Sequence, residues 1–302
     1  MLRLTVACLA LAAAAATNAT LQLLSGAHSL CLDGTQSGYY YSKASSANGT
    51  KWVIALEGGG ECVTNASCAD RALGDLGSSA GWAPTMGLGQ LQSSWDGENP
   101  DCFDWHHVYL KYCTGDLFMG TVETPDSDNQ WGWAKFDGAL VVAELLNELK
   151  SENALGDATD VVWTGVSAGG IGSFAHVDAV AEFLPGAKVA AVPVAGFYFD
   201  YAPYAGPAAA QYVPFDNTAF AGYSKMWGGP DGMFVPQACA DAVGSDDRHV
   251  CALAGNSWPT TATDTLFVEA QTDEVQMSLH AGVPSMGLPY VAASALRLCA
   301  LH

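Results

Sequence analysis

The sequence predicts an α/β fold: a mostly parallel β-sheet with helices on both faces, its loops held by disulfides. Short apolar runs alternate with segments of helical periodicity. The sharpest motif falls where a predicted strand meets a predicted helix. Eight cysteines remain once an apolar leader is set aside. Among 302 residues, 50% are hydrophobic and 14% charged, which excludes a disordered, solvating chain.

The chain opens Met1-Leu2-Arg3, runs apolar over 4–16 and leaves through the small residues Thr17-Asn18-Ala19. This pattern predicts a secretory signal peptide over 1–19 and a single domain over 20–302. The apolar run is shorter than the roughly 20 residues a membrane span needs, so no membrane span is expected. Cys31, Cys62, Cys68, Cys102, Cys113, Cys239, Cys251 and Cys299 read as disulfide partners in an exported chain, with Cys62 and Cys68 placed to close a local loop. No Cys-x-x-Cys pair or Cys/His cluster is present, so no metal is expected. Asn48 and Asn65 open glycosylation sequons.

Residues 52–56 form an apolar strand that ends in the turn Glu57-Gly58-Gly59-Gly60, and 108–110 form a second strand. Val142, Leu145, Leu146 and Leu149 repeat at helical spacing within 137–150. Residues 161–163 are a strand, 168–184 a helix stopped by Pro185-Gly186, and 189–194 a strand despite Pro193. Residues 265–268 are the last strand, and 200–262 read as an insertion of loops and short helices.

Gly165-Val166-Ser167-Ala168-Gly169 follows a predicted strand and opens a predicted helix, which is the setting of a nucleophile elbow. Small neighbours are needed because the serine sits on a strained turn. The amide of Ala168 then faces a developing oxyanion. The triglycine corner is the second feature: glycines let the backbone approach a reacting carbonyl. A phosphate-binding reading is disfavoured, because Glu57 and Glu61 repel an anion and no Gly-Lys-Ser/Thr follows. The orienting acid belongs just beyond a late strand, where Asp273 lies, with Glu269 and Glu274 as rivals.

Several segments resemble the pectin acetylesterase/Notum family of secreted serine carboxylesterases. They are residues 31–40, 52–62 with the Leu-Glu-Gly-Gly-Gly core, 165–170, His176-Val177-Asp178 and 272–277, in family order. The resemblance implies an α/β-hydrolase fold and ester cleavage without a cofactor. It makes Ser167 the nucleophile, Asp273 the triad acid, and Gly59, Gly60 and Ala168 the oxyanion-hole positions. Two departures stand out: the family usually carries tryptophan near Glu61, and plant members often carry cysteine at Val166.

Cys299-Ala300-Leu301-His302 matches the family's Cys-x-x-His segment, which makes His302 the candidate base. The stretch from Asp273 to His302 is shorter than the family's, so the alternative is a chain that stops before its base. If 273–280 is helical, His280 lies about 10 Å along the axis from Asp273, beyond the roughly 3 Å of a hydrogen bond. His176 reads as structural, and His106 and His107 as residues of a surface loop.

The expected function is a secreted, extracellular or cell-wall serine carboxylesterase that removes acetyl groups from polysaccharide. The alternatives are a protein O-acyl (palmitoleoyl-type) carboxylesterase and a non-catalytic secreted binding protein of the same fold. Eleven basic against 31 acidic residues leave a net charge of −20, which repels nucleic acid and polyanionic pectin. A neutral or methylated acetylated glycan is therefore the better substrate. Trp82, Trp95, Trp131, Trp133 and Tyr198 are candidate sugar-stacking faces.

Overall fold

A computed structural model describes residues 18–45, 49–207, 209–229 and 231–284. Most of the leader, Asn48, Cys299 and His302 lie outside them. Ala19 opens the first strand and pairs with Met86.

Seven strands form one sheet: β1 (Ala19–Leu23), β2 (Gly38–Ser42), β3 (Lys51–Leu56), β4 (Thr85–Met86), β5 (His106–Leu110), β6 (Asp160–Val166) and β7 (Lys188–Val194), in the order β4-β1-β2-β5-β3-β6-β7. From β5 through β3 and β6 to β7 every pairing is parallel. Strand β3 is buried from Trp52 to Leu56, as a central parallel strand covered on both faces must be. The register sets Ile54 beside Trp163 and Leu56 beside Gly165, so β3 and β6 end together. Strands β1, β2 and β4 add an antiparallel edge that the sequence reading did not foresee.

Pro193 does not break β7, and its position explains the irregular edge beyond it. Ala191 and Ala195 donate their amides to Asp264 and Val268, while Leu266 and Val268 donate back to Ala191 and Pro193. The one rung missing from this parallel ladder is the one a Pro193 N–H would supply. Residues 265–268 therefore join β7 through isolated bridges at Thr265 and Val268 rather than as a regular strand.

Among the described residues, the α-helices of seven residues or more are α1 (Asn65–Arg71), α2 (Gly138–Glu152), α3 (Ala168–Phe183), α4 (Asn217–Trp227) and α5 (Gln237–Val243). Val142, Leu145, Leu146 and Leu149 of α2 are buried, and Glu148 accepts a 3.0 Å bond from Tyr39 of β2. Helix α3 lies on β6, where Trp163 Nε1 donates to the Ser173 carbonyl at 2.8 Å. Around α4, the rings of Phe215, Phe220, Tyr223 and Trp227 pack on one another. Disulfides join Cys31 to Cys113, Cys62 to Cys68 and Cys239 to Cys251, while Cys102 is buried and has no disulfide partner among the described residues. His106 and His107 correct one expectation: they belong to β5 and are buried, bonded to the carbonyls of Gly49 and Cys102. Among the described residues no helix is long and apolar enough to cross a membrane.

Candidate active site

Ser167 sits between the last residue of β6 and the first of α3 with φ 57° and ψ −121°. A non-glycine residue held there costs of order 1–3 kcal/mol, so the surroundings must enforce the turn. Its amide donates to Val194 at 2.8 Å and its carbonyl accepts from Ile171 at 2.9 Å. A Cβ on Gly165 would stand 2.2 Å from the Gly169 carbonyl oxygen, and one on Gly169 would stand 2.1 Å from that of Leu56. The motif is glycine at these positions because backbone touches backbone. Ala168, fully buried, begins α3 and supplies an amide at the helix N-terminus.

The triglycine corner lies directly against this elbow. A Cβ on Gly58 would meet the Val166 carbonyl oxygen at 2.4 Å and Ser167 Cβ at 3.2 Å. Gly60 takes φ +68°, and no hydrogen bond among the described residues accepts from the amides of Gly59 or Gly60. Their carbonyls both face Arg71, at 2.7 and 3.2 Å from Nη2. Glu57 points elsewhere: Lys111 Nζ reaches it at 2.5 Å and the Tyr112 amide at 2.8 Å. This ion pair, with Lys111 buried, ties the end of β3 to the chain leaving β5. Glu61 follows the corner, half-buried. Burial pushes its pKa up, against the nearby charges of His280 and Arg71. Its charge is felt by the phenols of Tyr112, Tyr198 and Tyr223.

Asp273 lies beyond the bridge at Val268, on the flank of β7, which itself runs parallel to β6. Its Oδ1 accepts from the Gln276 amide at 2.9 Å and so caps the turn over 275–280. Of its rivals, Glu269 accepts the amides of Gly196 and Phe197 at 2.7 and 2.6 Å, and Glu274 is exposed. A cavity of about 380 Å³ opens beside Asp273, lined by Phe197, Phe199, Tyr201 and Met277.

No histidine bonds Asp273 among the described residues. His280 is buried and pairs its Nδ1 with the Val213 carbonyl at 3.0 Å. His176 pairs with the Phe118 carbonyl at 2.7 Å and stacks on Phe234 at 4.0 Å, and burial lowers its pKa to about 4. His302 lies outside the described residues. Of the candidate sugar platforms, Trp82 and Tyr198 are buried, which removes them from that role. Trp95 is exposed, and Trp131 and Trp133 form a half-exposed pair 6.2 Å apart. No group of side chains suited to a metal ion occurs among the described residues.

The structure thus joins Ser167, Ala168 and the triglycine corner and sets Asp273 in the loop that follows the Val268 bridge to β7. Sequence reasoning missed Arg71 and the Glu57–Lys111 pair. The signal for Arg71 was present: it lies one helical turn after Cys68, whose partner Cys62 stands two residues beyond the corner.

A serine at a positive-φ bend between a parallel central strand and its helix defines an α/β hydrolase. The pectinacetylesterase family profile matches residues 12–288, and the chain belongs to that family. It is 36% identical over 172 residues to pectin acetylesterase 5 of Arabidopsis thaliana, covering 56% of this chain and 39% of that one. It is 31% identical over 265 residues to palmitoleoyl-protein carboxylesterase NOTUM of Drosophila melanogaster, covering 84% and 37%. The crystal structure of the Wnt deacylase Notum from Drosophila superposes with a TM-score of 0.77 at 27% identity, covering 91% of this chain and 77% of that one. The chain therefore spans less than two-fifths of the length of these two curated relatives.

Proposed function

We propose that the protein is an exported serine carboxylesterase that removes short acyl groups, acetyl above all, from a polysaccharide. The observation that carries this reading is the Ser167 elbow packed against a corner whose glycine amides are left open. Ser167 Oγ attacks the ester carbonyl and a histidine takes its proton. Asp273 orients that histidine, with His302 as the candidate. Amides of Ala168, Gly59 and Gly60 stabilise the tetrahedral oxyanion. The alcohol leaves, and water releases the acyl-enzyme by the same steps. No cofactor is required. Export is supported by the signal-like leader and the three disulfides.

A short acyl group is favoured by Glu61. A half-buried carboxyl beside the corner, near His280 and the three phenols, is a poor neighbour for a long alkyl chain. The second reading, a protein acyl esterase, is favoured by coverage, since the Notum alignment spans 84% of this chain against 56% for the plant enzyme. Hydrolysis of nitrophenyl acetate and nitrophenyl octanoate separates the two. A kcat/KM ratio above about 10 for acetate, collapsing toward unity in Glu61→Leu, supports the first. An octanoate preference in the wild type contradicts it. Folded protein that cleaves neither ester and is not labelled by a fluorophosphonate is a binding protein of the same fold.

A further inference from the structure

We propose that Arg71 is the positioning residue of the oxyanion hole, the side chain that turns the triglycine corner so that its amides face the reacting carbonyl. This rests on the serine-esterase reading. In a trans peptide the C=O and the following N–H point in opposite directions. The 2.7 Å bond from Arg71 Nη2 to the Gly59 oxygen fixes the plane between Gly59 and Gly60, so the Gly60 N–H points away from the guanidinium. The 3.2 Å bond to Gly60 steadies the next plane. Gly58 is packed against the elbow, but among the described residues no other hydrogen bond holds Gly59 or Gly60. Glycine crosses between conformations at small cost, and Gly60 already sits at φ +68°.

The rest of the environment holds Arg71 in turn. Thr64 and Ser67 close a capping box at the start of α1. The Cys62–Cys68 disulfide ties the end of the corner to that helix, and Arg71 lies three residues further on, on the same face. Its Nε donates to the Leu76 carbonyl at 3.0 Å, and its guanidinium lies 5.1 Å from the centre of the Tyr112 ring. A Cβ on Gly115 would crowd Arg71 Cδ at 3.3 Å, so the chain leaving β5 walls off the other side. A planar fork satisfies this set: it reaches the corner carbonyls and Leu76 while lying over an aromatic face. An ammonium cannot do all of these together.

The test is Arg71→Met and Arg71→Lys in the full chain, read by kinetics and by crystallography. The expected result is a fall in kcat of about 30- to 300-fold for Arg71→Met, with KM within about threefold. Affinity for a boronic acid that forms a tetrahedral serine adduct falls in step with kcat/KM, while affinity for the matching carboxamide holds. Arg71→Lys is intermediate, and guanidinium ion partly restores Arg71→Ala. In the Arg71→Met crystal structure the Gly59 and Gly60 carbonyls turn from their present direction. A merely structural role lowers the melting temperature and weakens both ligands alike, which overturns the proposal. So does a corner that keeps its carbonyls in place. The crystallographic arm stands whether or not the wild type hydrolyses esters, so failure of the esterase reading is told apart from failure of this one.

Discussion

At the elbow, backbone is pressed on backbone: Gly165 against Gly169, Gly169 against Leu56, and Gly58 against Val166. Across β7, the segment that carries Asp273, the proposed acid, is attached by two isolated bridges, and Val275, Met277 and Leu279 there are exposed. The first region leaves no room for a side chain, whereas the second is held by loop contacts and one cap. Chemistry that depends on a strained bend needs an over-determined frame.

Ser167→Ala is the largest expected loss, with kcat/KM for nitrophenyl acetate down at least about 10⁴-fold and the melting temperature unchanged. Asp273→Asn comes next, with about 10³-fold or more lost in kcat at unchanged stability. Glu269→Gln keeps kcat within about threefold, because that carboxyl serves the Gly196 and Phe197 amides. The opposite pattern moves the acid to Glu269. Gly169→Ala, read by urea unfolding, destabilises by about 3 kcal/mol or prevents folding, since its Cβ meets a carbonyl oxygen at 2.1 Å. Gly222→Ala is the contrasting control. It sits within α4 with open space around it, so about 0.5–1 kcal/mol of stabilisation is expected.

A third region gives a reference without catalysis. Asp137 is buried at the start of α2, and burial, with the neighbouring Asp116, raises its pKa to about 8. An acid with a raised folded pKa keeps its proton in the native state across a window where the unfolded chain has lost it. Stability therefore falls as pH rises from about 4 toward 8. Asp137→Asn flattens that fall, by on the order of 2 kcal/mol at pH 8, in denaturant titrations at several pH values. An unchanged slope assigns the ionisation elsewhere.

How much the sequence disclosed follows the same division. The elbow was legible because close backbone contact leaves glycine as its only written form. Helix α2 was legible from its apolar spacing. The antiparallel edge was not: β1, β2 and β4 are short, and their pairing with β5 links residues far apart in the chain. His106 and His107 read as polar loop residues because nothing local shows that the Gly49 and Cys102 carbonyls satisfy them. For Arg71 only its spacing from Cys68 was legible; its partners are backbone oxygens, which have no signature of their own.

The central claim is tested most directly by mass spectrometry of the folded protein after brief exposure to a fluorophosphonate, with the modified peptide sequenced. One phosphonyl group per chain is expected, on Ser167, and none in Ser167→Ala. A folded chain that stays unmodified, or carries the group on another residue, contradicts it.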